Sequence, residues 1–185
     1  MKSSEAKRYL QRPSFRPAHA WEQGIEERDV ARGSKAIGFE GEEVMRGYPA
    51  KFQRAKEGGF TVTFRDVPEA ITEGDTLEEA QSAAADALET ALSFYVDERR
   101  PLPKPSTVKR GERLVQLSAI GMAKTALYEA MLSEKVSRAE LARRLSCHLE
   151  QVARLLDLTH ASKFEQLQRA LEAVNRRMIV ITEAA

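Results

Sequence analysis

The chain has little of what a covalent or metal-built function would need. Its 185 residues include one cysteine and three histidines. A single thiol excludes a disulfide scaffold and any cysteine-based zinc module. No apolar run approaches the roughly 18 residues of a membrane span, and the first residues are charged and polar rather than a signal peptide. The expectation is therefore a cytoplasmic chain. Net charge is also nearly absent: 29 basic and 28 acidic side chains leave +1, which selects neither nucleic acid nor any other charged partner. Apolar residues are not scarce. At 42% they suffice for a core and exclude full disorder, and the length suits one or two domains.

The charge that is present is segregated. Residues 48–106 carry 7 basic and 11 acidic side chains, net −4, whereas residues 107–185 carry 13 and 9, net +4. An acidic stretch followed by a basic one reads as two modules with different partners. Pro101, Pro103 and Pro105 alternate at the boundary. Their fixed φ and missing N–H exclude a helix and favour extended chain. Residues 1–44 show no sustained apolar period and are expected to form a poorly ordered tail, with Trp21 and Ile25, four apart, able to stud a short helix. Met45 stands just before a well-patterned region and is a candidate natural start. The expected organisation is a tail over 1–44, an acidic module over 45–106 and a basic module over 107–185.

In the acidic module, Tyr48–Ala55 reads as an exposed strand, Gly58-Gly59 as a hairpin turn, and Phe60-Thr-Val-Thr-Phe64 as a half-buried strand with period-two alternation. Ala70-Ile71-Thr72 is a short third strand. Thr76 and Glu79 form a capping box for a helix whose apolar face is Leu77, Ala80, Ala84, Ala87, Leu88, Ala91, Leu92 and Tyr95. The pattern is β-β-β-α, with room for one more short strand near the proline segment. Asp66, Glu69, Glu73, Asp75, Glu78, Glu79 and Asp86 supply carboxylates, but none lies inside a long strand, where a rigid metal site is best held. His19, His148 and His160 all lie elsewhere, so the module has no histidine base. No catalysis, cofactor or metal is expected.

The basic module opens with a short strand, Leu114–Leu117, and a helix marked by Met122, Ala126, Tyr128, Ala130, Met131 and Leu132. Ser137 and Glu140 read as a second capping box, with Leu141 and Leu145 as core positions of a short helix. A tight connection at Ser146–His148 leads to a helix with Val152, Leu155 and Leu156 inward. Ser162 and Glu165 read as a third capping box for a helix carrying Phe164, Leu167, Leu171 and Val174, and Met178-Ile-Val-Ile-Thr182 reads as a closing strand. Two short helices joined by a tight turn within a helical group match a helix-turn-helix. The start of its second helix presents His148, Glu150, Gln151 and Arg154, types able to read base edges. Arg138, Arg143, Arg144 and Lys163 flank it as candidate phosphate contacts. Cys147 suits a small core position. The two short strands are expected to pair with each other or across a twofold axis, and a dimer would match a palindromic operator.

Several stretches together resemble the HicB antitoxin family: Tyr48-Pro-Ala, Gly58-Gly59-Phe60-Thr-Val-Thr-Phe64-Arg-Asp66-Val-Pro68, Thr72-Glu-Gly74-Asp75-Thr76-Leu-Glu-Glu79-Ala, and Pro105-Ser106. The resemblance covers about residues 45–182, and the basic half resembles the helix-turn-helix domain that many HicB proteins carry. It implies an α+β chain: a partial RNase H-like domain without nuclease function, then a helix-turn-helix domain for DNA binding and dimerisation. It also implies binding to a HicA toxin, a small basic mRNA-cleaving ribonuclease, and repression of the toxin–antitoxin operon. Phe64, Asp66, Pro68 and Glu69 are the residues expected at the toxin interface. Arg65 departs from the family's usual Pro, and Ser146 from a Gly at a turn position that often needs positive φ.

Two other readings compete. One is a stand-alone helix-turn-helix transcriptional regulator whose acidic domain senses a ligand or another protein. The other is a metal-dependent nuclease on an RNase H-like scaffold.

Overall fold

The computed structural model describes residues 47–180. The expected tail over 1–44, with Trp21, Ile25 and His19, and the candidate start Met45 lie outside the described residues. Within them the chain is mixed α/β: a four-stranded antiparallel sheet and five helices. The strands are β1 (Gly47–Arg54), β2 (Phe60–Phe64), β3 (Ile71–Gly74) and β4 (Glu112–Gln116). The helices are α1 (Leu77–Asp97), α2 (Ala119–Ser133), α3 (Arg138–Arg144), α4 (Leu149–Leu156) and α5 (Phe164–Ala173).

The sheet order is β3-β2-β1-β4. β1 and β2 form the expected hairpin, with Phe52 opposite Val62 and Ala50 opposite Phe64. Gly58 and Gly59 turn it with φ of 105° and 74°. A side chain at Gly59 would also meet the Gly74 carbonyl oxygen at 2.8 Å, so this position needs glycine twice over. β1 is not the exposed strand its polar residues suggested. It lies between β2 and β4, and Tyr48 and Ala50 are buried.

β4 also departs from expectation. It pairs with β1, Tyr48 opposite Val115, rather than with the C-terminal segment. Residues 178–180 form no strand, and 181–182 lie outside the described residues. The physical reason is that β1 offers β4 a long edge beside a buried face.

α1 crosses one face of the sheet. Thr76 Oγ1 accepts from the Glu79 N–H at 3.2 Å, and the Glu79 carboxylate accepts from the Thr76 N–H at 3.3 Å, so the predicted capping box forms. Its buried residues are Ala80, Ala84, Leu88, Ala91, Leu92 and Val96. The alanines let the helix lie close, and Gly74 lets β3 end almost against it: a Cβ there would sit 2.5 Å from the Ala80 nitrogen. Val62, Leu88 and Leu92 are completely buried, each stabilising the fold by about 1.5–3 kcal/mol.

α2 is the hub of the helical half, buried along most of its length and packed on α4 and α5, while α3 packs on α4 and α5. Leu127, Leu141, Val152, Leu156, Leu167 and Val174 fill the interior. They join the sheet's buried residues in one continuous cluster. The two later capping boxes are corrected. Ser137 Oγ accepts from the Glu140 N–H at 3.1 Å, but the Glu140 carboxylate turns to two arginines instead of the cap. α5 begins a residue later than expected, with Lys163 at its N-cap, because the Ser162 hydroxyl donates to the Arg154 carbonyl at 3.5 Å.

Candidate functional sites and their surroundings

The loop after β2 carries the first candidate set. Phe64 is 3% exposed and packs inside the sheet layer, supporting the loop from beneath. Asp66 is held by Ser106, whose N–H and hydroxyl both donate to its carboxylate at 2.8 Å. Pro68 and Glu69 lie exposed. Glu69 accepts a hydrogen bond from the Tyr95 hydroxyl at 2.9 Å, and burial followed by that carboxylate raises the tyrosine's pKa. Arg100 lies 4.4 Å above the Tyr95 ring. The outward surface of the loop is thus Pro68, Glu69 and the edge of Tyr95, anchored by Val67 and Ala70 in the core.

Arg65, the residue that departs from the family pattern, has a local purpose. Its guanidinium pairs with Glu112 at 2.9 Å and donates to the Ser106 hydroxyl and, at 3.1 Å, to the Thr107 carbonyl. It clamps the proline segment and the start of β4 against the end of β2. Tyr48 OH donates to the Pro103 carbonyl at 2.7 Å and Tyr128 OH to the Arg100 carbonyl at 2.8 Å. The segment is extended, as its prolines require, but it is pinned along its length.

The second candidate set surrounds α3 and α4. Four residues, Leu145 to His148, lie between these helices. Ser146 takes φ of 51°, and the Cys147 N–H donates back to the Ala142 carbonyl at 3.0 Å, which closes α3 and turns the chain. Ser146 thus adopts the positive φ to which a glycine at this turn position is suited. Cys147 is half-buried against the core. Val152, Leu155 and Leu156 face inward, and this leaves His148, Glu150, Gln151 and Arg154 exposed. Gln151 uses its side-chain oxygen to accept from the His148 N–H at 3.1 Å. Arg154 has no ion pair among the described residues, and Lys163 is exposed at the start of α5.

The expected phosphate contacts are mostly engaged within the protein. Arg138 donates to the Val96 carbonyl at 3.0 Å and lies 3.6 Å from Asp97, capping the end of α1. Arg143 binds both oxygens of Glu140 at 2.8 Å; Arg144 binds Glu140 and the Ala173 carbonyl, each at 2.8 Å. Hydrogen bonds from Arg143 and then Arg144 hold the Glu140 carboxyl down to about 2.

Lys124 was not singled out from sequence. It is 0% exposed, and its ammonium donates to the carbonyls of Arg154, Asp157 and His160, gathering the C-terminal end of α4 and the loop after it. Burial lowers its pKa. The available signal was a lone lysine on the otherwise apolar face of α2. Glu89 was also missed: it accepts from the Ser118 N–H at 2.7 Å, so a carboxylate on α1 holds the start of α2. Among the described residues no group of three or more His, Cys, Asp or Glu is placed to hold a metal ion, and no helix is long and apolar enough to cross a membrane.

These observations define a chain of two joined parts: an α/β layer with an acidic loop surface, and a helical group exposing the start of α4. Comparison with known proteins narrows the class. A family described as the HicB-like antitoxin of bacterial toxin–antitoxin systems matches residues 47–126. Antitoxin HicB 2 of Photorhabdus laumondii is 42% identical over 134 residues, spanning 72% of this chain and 94% of that protein. Antitoxin HicB of Pseudomonas fluorescens is 43% identical over 129 residues, 69% of this chain and 88% of that protein. Antitoxin HicB of Escherichia coli K12 is 35% identical over 134 residues, 72% and 97% respectively. The chain belongs to the HicB antitoxin family.

Proposed function

We propose that this chain neutralises a HicA-type toxin, a small basic mRNA-cleaving ribonuclease, and represses its own operon by binding operator DNA. The observation that carries the proposal is the relationship to HicB antitoxins over most of their length. The strand order β3-β2-β1-β4 with α1 on one face supports reading the α/β layer as a partial RNase H-like domain. This layer and the proline segment form the toxin-binding part, over 45–106 with β4 added at its edge. Net negative charge there attracts a basic partner and speeds encounter, and cover over the toxin's active face blocks RNA without chemistry. Pro68 and Glu69 make direct contact, while Phe64 and Asp66 hold the loop in shape. Glu69→Lys is expected to weaken toxin binding roughly tenfold or more in calorimetric titration, and restored toxin RNase activity is the paired readout. Unchanged affinity would overturn the interface.

The DNA-binding part, over 107–185, is a helix-turn-helix formed by α3 and α4. Exposure of His148, Glu150, Gln151 and Arg154 at the start of α4 supports that reading. Lys163 joins as a phosphate contact; Arg138, Arg143 and Arg144 serve mainly to set the helices. A pull-down from the native host, read by mass spectrometry, tests the whole proposal. A stoichiometric small basic protein supports the antitoxin role. Its absence under low-salt conditions favours a stand-alone regulator, with operator selection as the decisive assay.

A further inference from the structure

Helix α4 ends differently from the other four. α1, α2, α3 and α5 each close on a left-handed residue: Arg99, Lys135, Ser146 and Asn175, with φ between 51° and 57°. Each of these turns the chain so that the next N–H returns to the helix, as Arg100 does to the Tyr95 carbonyl and Val136 to the Met131 carbonyl, both at 2.8 Å. α4 has no such residue. Asp157 follows it in extended conformation, with φ −74° and ψ 109°. After the bond from the Asp157 N–H to the Ala153 carbonyl, no backbone donor among the described residues returns to α4. The donors come from another helix. The Lys124 ammonium, on α2, donates to the carbonyls of Arg154 at 3.3 Å and of Asp157 and His160. Three N–H donors thus meet three carbonyls, at the negative end of the α4 dipole. The Ser162 hydroxyl donates to the same Arg154 carbonyl at 3.5 Å, one residue before Lys163 opens α5.

We propose that Lys124 is a positioning residue for reading DNA: from its place on α2, its ammonium sets the direction of α4 and the spacing between Arg154 and Lys163. The inference rests on the helix-turn-helix reading of α3 and α4. Val152, Leu155 and Leu156 seat α4 in the core, but apolar burial is non-directional. The hydrogen bonds from Lys124 supply the direction. An apolar side chain in the same space would avoid the cost of burying a charge, and it would leave the end of α4 without donors. Leverage makes the direction matter. α4 has 8 residues. At 1.5 Å per residue it is about 12 Å long, so a tilt of roughly 10° at its end moves its start by about 2 Å, more than a hydrogen bond tolerates. Arg154 has its own backbone carbonyl held by Lys124, and the turn through Asp157 and His160 leads directly to Lys163. That turn is itself braced, with the Thr159 N–H donating to the Asp157 carboxylate at 2.9 Å and the His160 N–H to the Asp157 carbonyl at 3.2 Å. Lys124 is completely buried, so it touches no phosphate and its effect passes through α4.

Fluorescence anisotropy on the full chain tests it, with an operator duplex selected by the wild type and a random-sequence duplex. Lys124→Met removes the ammonium and keeps most of the stem. Operator affinity should fall roughly tenfold or more, random-sequence affinity should stay within about twofold, and the slope of log affinity against log salt should not change. Single-base operator variants should lose discrimination throughout the half-site, whereas Arg154→Ala relaxes it at one base pair. Leu88→Ala, a buried truncation far along the chain on α1, controls for lost stability and should leave operator affinity unchanged in the folded protein. Circular dichroism confirms that each variant is folded. Lys124→Gln, which keeps a donor on a shorter stem, replaces Lys124→Met in the same comparison if the methionine variant does not fold. Unchanged operator affinity in a folded Lys124 variant would overturn the inference. So would an equal loss on both duplexes, or an equal loss in Leu88→Ala, since either makes Lys124 a stability residue only. A wild-type chain that selects no operator would overturn the DNA reading itself, and this inference with it.

Discussion

The two halves of the molecule lean on charge for opposite backbone groups, with Arg65, which donates to the Thr107 carbonyl, and Asp157, which accepts from the Thr159 N–H, as exceptions. In the α/β half, carboxylates accept from N–H groups: Glu79 from Asp75 and Thr76, Asp66 from Ser106, Glu112 from Lys109, Glu89 from Ser118. In the helical half, cations donate to carbonyls: Arg138 to Val96, Arg144 to Ala173, Lys124 to the end of α4. Hairpin exits and helix starts leave donors bare, and helix ends leave acceptors bare. Part of the charge in each half is therefore committed to the chain's own backbone groups. Net charge per module overstates the charge presented to a partner.

The strongest way to break this division is to ask whether the halves unfold separately. Leu88→Ala on α1 and Leu167→Ala on α5 should each cost about 2–5 kcal/mol, because both side chains are completely buried. The core is continuous, and Arg138, Tyr128 and Glu89 tie one half to the other. Each variant should therefore shift a single urea transition seen by both tyrosine fluorescence and circular dichroism. Two transitions, with each mutation moving only one, would make the halves independent folding units.

The two kinds of capping should differ in weight. Lys124→Met leaves buried carbonyls without their donor, at about 1–3 kcal/mol or more. Glu79→Ala removes half of an exposed capping box, at about 1 kcal/mol. Urea denaturation of both variants ranks them. Equal losses would mean that water replaces the lysine, and the contrast between buried and exposed caps would fail.

A third comparison separates arginines that build from arginines that bind. Arg154→Ala should weaken a selected operator by about 1–3 kcal/mol, roughly tenfold or more, in fluorescence anisotropy. Arg138→Ala should lower Tm but leave the salt dependence of DNA binding unchanged, because its guanidinium is committed to the end of α1. A flatter salt dependence for the Arg138 variant would return that residue to the DNA surface.

Most of the secondary structure was legible because its signals are local. Thr76 with Glu79 marks α1, Gly58-Gly59 marks the hairpin, and the spacing of Val152, Leu155 and Leu156 marks α4. The partner of β4 was not legible, since a five-residue strand carries no address; only burial of Tyr48 and Ala50 in β1 selects it. Side-chain allegiance was equally hidden. Ser-x-x-Glu from Ser137 looks like a complete capping box, but two arginines on the next turn outcompete one backbone N–H for the Glu140 carboxylate. In the candidate sites, the exposed start of α4 followed from helical periodicity. The internal commitments of Arg138 and Asp66 did not, because their partners lie 42 and 40 residues away.

Glu140 gives the smallest effect and tests the comparison most directly, because it is an anion placed among the cations. The carboxylate sits between Arg143 and Arg144, and its folded pKa of about 2 lies below the ordinary 4.5. A depressed carboxylate stabilises the fold above its unfolded pKa and loses that contribution as pH falls through the folded value. The stability difference between the wild-type chain and Glu140→Gln should therefore be largest above pH about 4.5 and fade toward pH about 2. The group is exposed, so salt should shrink the difference further. The same substitution loosens two guanidinium groups beside the proposed DNA surface. Non-specific DNA affinity should then rise a few-fold at low salt, with a salt dependence steeper by about one to two released counterions. If the stability profile changes as expected but DNA affinity does not, Arg143 and Arg144 point away from the phosphates. Recognition would then fall to Arg154, Lys163 and the exposed start of α4.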